Sequence, residues 1–303
     1  MNKLLKFFLR SILVLFILVN IVIALHAYKF THFYDSAEAA PQQKAAAILF
    51  GINAFKQQNA AADSADQKVI LTTADHLKLE GWYSATNNAK GTVCLFHGHG
   101  GKKSGTNAEA AAFRKLGYNT FQLDFRAHGS SQGNTCTIGY YESEDVSLAY
   151  DFIQSKGEKN IVLWGISMGA ATITKAINDY RLKPNKIILE MPFASIVKAA
   201  EGRIKMMGLP AEPLARLLTF WGGVEHGFWA FNMQPAEFAK KIDCPVLLQW
   251  GANDPRVSRQ EVDDIYNNIN TTKKLVVYDN SAHESLCKKE KEKWVDEVSS
   301  FLK

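Results

Sequence analysis

The chain has 303 residues, of which 47% are hydrophobic and 21% charged, the composition of an ordinary globular protein. A chain of this length can bury a substantial core, and its composition excludes a disordered chain, a disulfide-dense miniprotein and a polytopic membrane protein. The net charge is +5 and no stripe of basic residues is present, so we expect no nucleic-acid partner.

The first thirty residues differ from the rest of the chain. Lys3, Lys6 and Arg10 precede an apolar run over residues 11–27, which is close to the minimum length for crossing a bilayer. Because the positive charges come first, the positive-inside rule predicts a cytoplasmic N-terminus and places the remaining chain on the far, periplasmic or otherwise extracytoplasmic, side. We predict a transmembrane signal anchor over residues 1–30. A cleaved signal peptide, which would release a secreted protein, is the alternative.

Residues 31–68 are predicted to be an Ala-rich linker. Apolar residues recur at helical spacing after Pro41 and predict one amphipathic helix, which either packs on the main domain or lies along the membrane surface. These residues are Ala45, Ile48, Leu49, Ile52 and Phe55.

From residue 69 onward, predicted strands alternate with predicted helices. The strands cover Val69–Thr73, Leu77–Tyr83, Thr92–Phe96, Asn119–Phe125, Ile161–Trp164, Lys186–Leu189, Cys244–Trp250 and Lys274–Tyr278. The helices cover Asn107–Leu116, Glu142–Gln154, Met168–Tyr180, Ser258–Asn268 and a last segment ending at Phe301. This alternation predicts an α/β domain with a mainly parallel sheet and helices on both faces.

The segment Gly165-Ile166-Ser167-Met168-Gly169 is a GxSxG pentapeptide in the setting of a nucleophile elbow. It follows the apolar strand that ends at Trp164 and opens the helix that begins at Met168. A serine there sits on a sharp turn at the carboxyl edge of the sheet, and the flanking glycines let the strand and the helix pass closely. We predict that Ser167 is a nucleophile; a helix-capping serine is the plainer alternative.

A serine hydroxyl needs a general base, and the base needs an orienting acid. Asp254 and His283 each follow a predicted strand, so both are expected at the carboxyl edge of the sheet, and the chain order Ser, Asp, His suits this architecture. We predict His283 as the base and Asp254 as the acid. Glu190, which ends another strand, is the rival acid; Asp254 is otherwise a turn former and His283 a solvated loop histidine.

The glycine-containing loop after Phe96 provides a candidate oxyanion hole. Its sequence is His97-Gly98-His99-Gly100-Gly101, and it can aim the backbone N–H of His99 at a reacting carbonyl. The N–H of Met168, one residue beyond the nucleophile, is the natural second donor. We predict these two N–H groups as the oxyanion hole.

The remaining histidines and the cysteines predict no metal site. His97 and His99 are two residues apart, but Gly98 indicates that the strand has ended, and no carboxylate cluster is near. We interpret His97 and His128 as structural braces of their loops, and Asp124 and Arg126 as an internal ion pair. Four cysteines form no CxxC pair, so their disulfide status stays open: Cys94, Cys136, Cys244 and Cys287.

Taken in order, these segments resemble the landmarks of the α/β-hydrolases, most of all the single-domain serine esterases, the monoacylglycerol lipases and the serine-aminopeptidase-like members. The resemblance rests on His97–Gly100, Asp124–Ser131, Gly165–Gly169, Gly251–Asp254 and His283. It covers residues 69–303 and leaves residues 1–68 outside. It implies the α/β-hydrolase fold with an eight-stranded, mostly parallel sheet, a Ser-His-Asp triad and no cofactor.

Residues 191–241 interrupt the alternation and are predicted to form a small helical cap. An apolar, aromatic cap favours an apolar acyl or side-chain group in the substrate. Most of its apolar residues are expected to pack between cap and domain: Met206, Met207, Leu209, Leu214, Leu217, Leu218, Phe220, Trp221, Phe228, Trp229 and Phe231.

Together these features predict a membrane-anchored serine hydrolase that cleaves a carboxylic ester, or a related acyl bond, of an apolar small molecule through an acyl-enzyme. A serine peptidase or aminopeptidase-like amide hydrolase is the first alternative, because the triad does not distinguish these bonds. A catalytically idle binding protein with the same fold is the second. No metal or cofactor is predicted.

Overall fold

The computed structural model describes residues 3–35, 55–61 and 66–303. An eight-stranded sheet forms its centre, in the order β1-β2-β4-β3-β5-β6-β7-β8. The first two strands are antiparallel to their neighbours and the other strands are parallel. The strands are β1 (Asp66–Thr72), β2 (Lys78–Ser84), β3 (Thr92–Phe96), β4 (Asn119–Leu123), β5 (Ile161–Ile166), β6 (Lys186–Glu190), β7 (Val246–Gly251) and β8 (Lys273–Tyr278).

Helices cover the sheet, and one long helix precedes it at the N-terminus. They are α1 (Lys3–Thr31), α2 (Asn107–Lys115), α3 (Glu142–Ser155), α4 (Met168–Tyr180), α5 (Ile196–Met206), α6 (Leu214–His226), α7 (Pro235–Phe238), α8 (Arg259–Asn268), α9 (Leu286–Lys289) and α10 (Lys291–Leu302). Short 3-10 turns lie at Lys103–Thr106, Ala230–Asn232 and Ala239–Lys241.

The central strands are buried on both faces. Every residue of β3 is buried, as expected for a parallel strand with helices above and below it. On one face, Phe113 of α2 packs edge-to-face against Trp294 of α10, with ring centroids 5.4 Å apart. The chain passes from β3 to β4 in one direction along the sheet and from β4 to β5 in the opposite direction. Because both crossovers are right-handed, α3 and α4 lie on the face opposite to α2. The predicted α/β-hydrolase fold is confirmed, and each predicted strand and helix of this domain corresponds to an observed one.

The N-terminal helix α1 is joined to the domain at its carboxyl end. The described residues contain one helix that is long and apolar enough to span a membrane, and this helix is α1. Ala27 and Phe33 are almost fully buried, and the Thr31 carbonyl accepts a hydrogen bond from the N–H of Cys136 at 2.7 Å. The last turn of α1 is therefore part of the wall of the domain.

The predicted amphipathic helix falls almost wholly on residues 36–54, outside the described residues. Phe55, its last position, is described and forms a parallel β-bridge with Tyr34.

The cap between β6 and β7 consists of α5 and α6 followed by short turns. The expectation that most of its apolar side chains are packed inside is wrong for five of the eleven named above, which are exposed: Met206, Met207, Leu209, Phe220 and Trp229. Two of them, Met207 and Leu209, belong to the connection between α5 and α6 and line a groove beside the middle of α1 instead of packing against the sheet. All four cysteines are free and buried.

Candidate active site

Ser167 sits on a strained turn between β5 and α4. Its backbone has φ 54° and ψ −116°, a conformation that few residues other than glycine adopt. A Cβ on Gly165 would lie 2.6 Å from the Gly169 carbonyl carbon, so only glycine allows the helix to leave the strand this closely. The Ser167 N–H donates to the carbonyl of Glu190 at 2.7 Å, which fixes the turn to β6. The hydroxyl is thereby held at the carboxyl edge of the sheet.

The structure brings Ser167, His283 and Asp254 into one hydrogen-bonded line. His283 Nε2 lies 2.9 Å from Ser167 Oγ, and His283 Nδ1 lies 2.7 Å from Asp254 Oδ2. The Asp254 carboxylate can only accept, so Nδ1 carries the proton and Nε2 is free to accept the Ser167 proton. This is the tautomer that a general base requires.

Backbone contacts hold the acid and the base in place. Asp254 Oδ1 accepts hydrogen bonds from the N–H groups of Arg256 and Val257, at 2.7 and 3.0 Å. A Cβ on Gly251 would lie 2.5 Å from the Ala282 carbonyl oxygen, so this glycine lets the two loops touch. The Asp254 side chain is fully buried, which strengthens its bond to the imidazole.

The two residues predicted to form the oxyanion hole, His99 and Met168, lie close to Ser167. Gly98 approaches the nucleophile so closely that a Cβ there would lie 3.4 Å from Ser167 Cβ. Met168 is the first residue of α4, where an N–H has no intrahelical acceptor. Both residues line the pocket above Ser167. The N–H groups of His99 and Met168 therefore stay the predicted oxyanion hole.

The His99 ring connects the oxyanion loop to α1. Its Nε2 lies 2.9 Å from the Phe30 carbonyl oxygen and donates to it. Burial, with the nearby guanidinium groups of Arg203 and Arg256, lowers the pKa of His99 to about 4. The ring is therefore neutral near pH 7, and its backbone N–H is positioned by a contact with the N-terminal helix.

His97 and His128 bond to the backbone of the loops around them. His97 Nδ1 donates to the Gly98 carbonyl at 2.7 Å, and its Nε2 accepts from Phe125 N–H at 3.2 Å. His128 Nε2 accepts from Gly100 N–H at 3.0 Å. Burial lowers the pKa of both rings, so each stays neutral and each nitrogen keeps one role. The described residues contain no group of three or more His, Cys, Asp and Glu that could hold a metal ion.

The predicted ion pair between Asp124 and Arg126 is wrong. Asp124 bonds to Lys103 Nζ at 2.6 Å, and Arg126 bonds to Asp145 at 2.6 Å and Glu144 at 2.7 Å. The reason is that Asp124 faces the turn after the oxyanion loop, whereas Arg126 faces the first turn of α3. Each charge therefore braces a different element.

Glu190, the rival acid, is turned away from the base. Its Oε1 accepts hydrogen bonds from the indole N–H groups of Trp164 and Trp294, at 2.9 and 2.6 Å, and from Gln249 at 3.3 Å. It is fully buried below the carboxyl edge. Its carboxyl group is committed to the core.

Above Ser167 lies an active-site pocket of about 310 Å³. Apolar side chains dominate its wall, among them Phe30, Ile138, Ile166, Phe193, Ile196, Leu218, Phe228 and Val257. Two parts of the wall are not predicted from the sequence: the end of α1, through Phe30 and Thr31, and two arginines, Arg203 and Arg256. No sequence signal singles them out, because their grouping depends on where α1 and α5 pack.

The sheet order, the strained turn after β5 and the loops at the carboxyl edge are those of the α/β-hydrolase fold. A family model described as Hydrolase_4, "Serine aminopeptidase, S33", matches residues 87–226.

Individual relatives are distant. The chain is 24% identical over 237 residues to the uncharacterized protein YqkD of Bacillus subtilis, covering 77% of this chain and 78% of that protein. It is 26% identical over 207 residues to the lysophosphatidylserine lipase ABHD12 of Danio rerio, covering 64% of this chain and 51% of the lipase. The chain thus spans about half the length of this lipase. An esterase of Pyrococcus furiosus, PF2001, has the same fold, with a TM-score of 0.69, 23% identity and coverage of 82% and 96%.

Proposed function

We propose that this protein is a serine hydrolase that cleaves a carboxylic ester with an apolar acyl group. The observation that carries the proposal is the line from Ser167 through His283 to Asp254, beside a pocket that His99 and Met168 also line. A serine, a base and an oriented acid in hydrogen-bond contact are the minimum apparatus for acyl transfer.

In the first half of the proposed reaction, His283 Nε2 accepts the Ser167 hydroxyl proton while Oγ attacks the ester carbonyl carbon. The carbonyl oxygen becomes an oxyanion, which the N–H groups of His99 and Met168 stabilise. Asp254 stabilises the imidazolium. When the tetrahedral intermediate collapses, His283 returns the proton to the leaving alcohol and the acyl group remains on Oγ.

In the second half, a water molecule replaces the alcohol. His283 accepts a proton from this water, whose oxygen attacks the acyl carbon, and the same two N–H groups hold the second oxyanion. Collapse breaks the bond to Oγ, and His283 returns the proton to Ser167. The products are a carboxylic acid and an alcohol, and no cofactor takes part.

The surroundings of the serine support an apolar acyl group. Besides the active-site pocket, an apolar groove runs between α1 and the cap, and the two share Phe30 and Leu218. The groove is lined by Leu18, Val19, Val22, Ile23, His26, Phe30, Ile204, Met207, Leu209, Leu214 and Leu218. An acyl chain extending from Ser167 along this groove would be shielded from water, and burial stabilises such a chain by about 0.8 kcal/mol per methylene.

The relatives support the same substrate class. ABHD12 is named as a lysophosphatidylserine lipase and PF2001 as an esterase. We infer that the present chain also acts on esters, with a single-chain lipid as the substrate that its pocket and groove fit best.

Hydrolysis of an amide at a peptide N-terminus is the second candidate, favoured by the family description "Serine aminopeptidase". A free α-ammonium group needs an anionic partner near the serine. Among the described residues that line the pocket, none is Asp or Glu, whereas two are arginines. The charge of the pocket therefore opposes this candidate.

We test the nucleophile with a fluorophosphonate probe, which labels activated serines. We expect the wild-type protein to be labelled, and Ser167→Ala and His283→Ala to lose labelling. Ser155→Ala is the matched control, because Ser155 is exposed at the end of α3 and should leave labelling intact. Labelling that persists in Ser167→Ala would reject the nucleophile, and an unlabelled wild type would favour an idle binding protein.

The bond that is cleaved is tested with substrates. We compare p-nitrophenyl esters of increasing chain length with aminoacyl p-nitroanilides. We expect ester hydrolysis that rises with chain length up to the length of the groove, and no release from the anilides. The reverse preference would establish the amide hydrolase.

A further inference from the structure

Two arginines line the active-site pocket without a carboxylate partner. Arg203 belongs to α5 and Arg256 to the loop that carries Asp254. The structure shows no ion pair for either guanidinium within residues 3–35, 55–61 and 66–303. In the same domain, Arg126 and Arg216 each bond to a carboxylate.

Close packing holds the two arginines side by side. A Cβ on Gly202 would overlap the carbonyl oxygen of Arg256, so this glycine lets α5 lie directly on the loop. The Arg203 guanidinium is 4.9 Å from the centroid of the Phe30 ring, on the wall formed by α1. Burial and the nearby Arg256 lower the pKa of Arg203. The two like charges therefore stand close together in a largely apolar pocket.

Arg203 is half-buried and Arg256 is exposed at the rim of the pocket. The half-buried charge and the repulsion between the two like charges are both relieved when an anion binds between them. None of the described residues that line the pocket is Asp or Glu, so an anionic ligand would meet two cationic partners there. A guanidinium suits a phosphate group, because its parallel N–H donors match two phosphate oxygens.

Two further polar atoms in the pocket point to a polar ligand. Thr219 Oγ1 and His226 Nε2 are buried on α6 and have no hydrogen-bond partner among the described residues. Both residues line the active-site pocket. Buried polar atoms are rarely left unpaired, so these two indicate a site that a hydrogen-bonding group completes.

We propose that Arg203 and Arg256 form a subsite for the phosphate group of a single-chain lipid ester, while Thr219 and His226 contact its polar remainder. The substrate class is then an anionic lysophospholipid rather than a neutral acylglycerol. This inference rests on the proposed ester hydrolase. It goes further because it assigns binding of the lipid headgroup to four residues that are not part of the proposed triad.

A binding experiment tests the subsite without catalysis. The ligands are the ether lipid 1-O-hexadecylglycerol 3-phosphate, the neutral 1-O-hexadecylglycerol and inorganic phosphate, each titrated into the full chain in neutral detergent micelles by calorimetry. The ether lipids contain no carboxylic ester, so the proposed ester hydrolase does not consume them. We expect the phosphate lipid to bind at least about 10-fold more tightly than either other ligand.

Variants assign that preference to the arginines. We expect Arg203→Gln and Arg256→Gln each to reduce the preference for phosphate lipid over neutral lipid about 10-fold, and the double variant to abolish it. Arg203→Lys, which keeps the charge, should retain part of it and guards against a folding artefact. Arg216→Gln is the matched control, because Arg216 is exposed on the same cap and paired with Glu212.

The outcomes separate the subsite from the proposed function. An undiminished preference in the double variant, or no preference in the wild type, would overturn the subsite. Inorganic phosphate binding as tightly as the phosphate lipid would overturn the lipid assignment in favour of a free-phosphate site. Failure of the ester hydrolase, by contrast, would appear as equal rates for wild type and Ser167→Ala on p-nitrophenyl esters, whatever the ether lipids do.

Discussion

Two buried carboxyl groups near the His283 loop have different surroundings. Asp254 accepts hydrogen bonds from His283 and from two backbone N–H groups, so both of its oxygens are satisfied. Glu190 Oε1 accepts three hydrogen bonds, whereas its Oε2 has no partner among the described residues. One carboxyl group is thus arranged to hold a charged histidine, and the other is a core residue.

The first prediction concerns the acid of the proposed triad. Asp254→Asn should lower kcat for p-nitrophenyl butyrate by about 100- to 10,000-fold at neutral pH, because an amide favours the wrong tautomer of His283. Glu190→Gln is the comparison and should lose less than about 3-fold, because Glu190 does not contact His283. A large loss in Glu190→Gln together with an active Asp254→Asn would reverse the assignment.

The second prediction concerns the pH dependence of stability. Burial, with the nearby Glu109 carboxyl, raises the pKa of Glu190 to about 8. Between its ordinary pKa and this value, the folded protein keeps a proton that the unfolded chain has lost, so Glu190 costs stability increasingly as the pH rises from about 4.5 to 8. Glu190→Gln stays neutral and can still accept from both indoles.

We therefore expect the free energy of unfolding of Glu190→Gln, relative to wild type, to rise by ~1–3 kcal/mol between pH 5 and pH 8. Urea denaturation in a neutral detergent at both pH values measures this difference. Glu237→Gln, at an exposed side chain of α7 paired with Lys240, serves as the control and should show no such rise. Parallel pH profiles for wild type and Glu190→Gln would contradict the prediction.

At the scale of elements, α5 is the helix that joins the cap to the active site. Its residue Gly202 contacts the backbone of Arg256, two residues after the proposed acid, and Arg203 enters the pocket. Gly222 on α6 is a useful contrast, because a Cβ there would meet no atom within 4 Å.

The third prediction compares these two glycines. Gly202→Ala should lower the free energy of unfolding by ~1–3 kcal/mol, because its methyl group would overlap the Arg256 carbonyl and push α5 away. Gly222→Ala should be neutral or stabilising by up to ~1 kcal/mol, since alanine is the better helix former. Urea denaturation of both variants measures this. Equal effects would mean that α5 does not rest on the loop as described.

At the scale of the whole molecule, α1 and the hydrolase domain share one surface. The Trp221 indole N–H on α6 donates to Asn20 Oδ1 at 3.0 Å, and the His99 ring donates to the Phe30 carbonyl. Two exposed apolar residues of the cap, Met207 and Leu209, line the groove beside the same helix. These contacts favour the anchor over the cleaved signal peptide, because removal of α1 would open the wall of the active-site pocket.

The fourth prediction follows from that contact. We expect the mature protein to keep its N-terminal helix, to remain in the membrane pellet after alkaline carbonate extraction, and to give the intact mass of the full chain. A luminal or periplasmic soluble protein in the same sample provides the control and should be released. Release of this protein, with a mass that begins after Ala27, would establish the cleaved signal.

The orientation is tested separately. The positive charges at Lys3, Lys6 and Arg10 predict a cytoplasmic N-terminus. Protease added outside intact cells should then digest the hydrolase domain only after the outer barrier is opened, and before the cytoplasmic membrane is broken. Digestion only after that membrane is lysed would place the domain on the cytoplasmic side.

The sequence by itself determined the fold, because the local pattern of each segment was sufficient. Apolar runs such as Thr92–Phe96 and the helical spacing after Met168 are set by neighbours in the chain, and so is the glycine-flanked turn at Ser167. The candidate site residues followed from the same signals, because each comes directly after a strand and parallel strands end at one edge of the sheet.

Only the tertiary structure decided which charges meet. Sequence proximity paired Asp124 with Arg126, but the fold gives them Lys103 and Asp145 as partners. The arginines of the pocket and the part of its wall formed by α1 had no local signal either. The physical reason is that an ion pair or a pocket depends on distances between segments far apart in the chain, and those distances exist only after the helices have packed on the sheet.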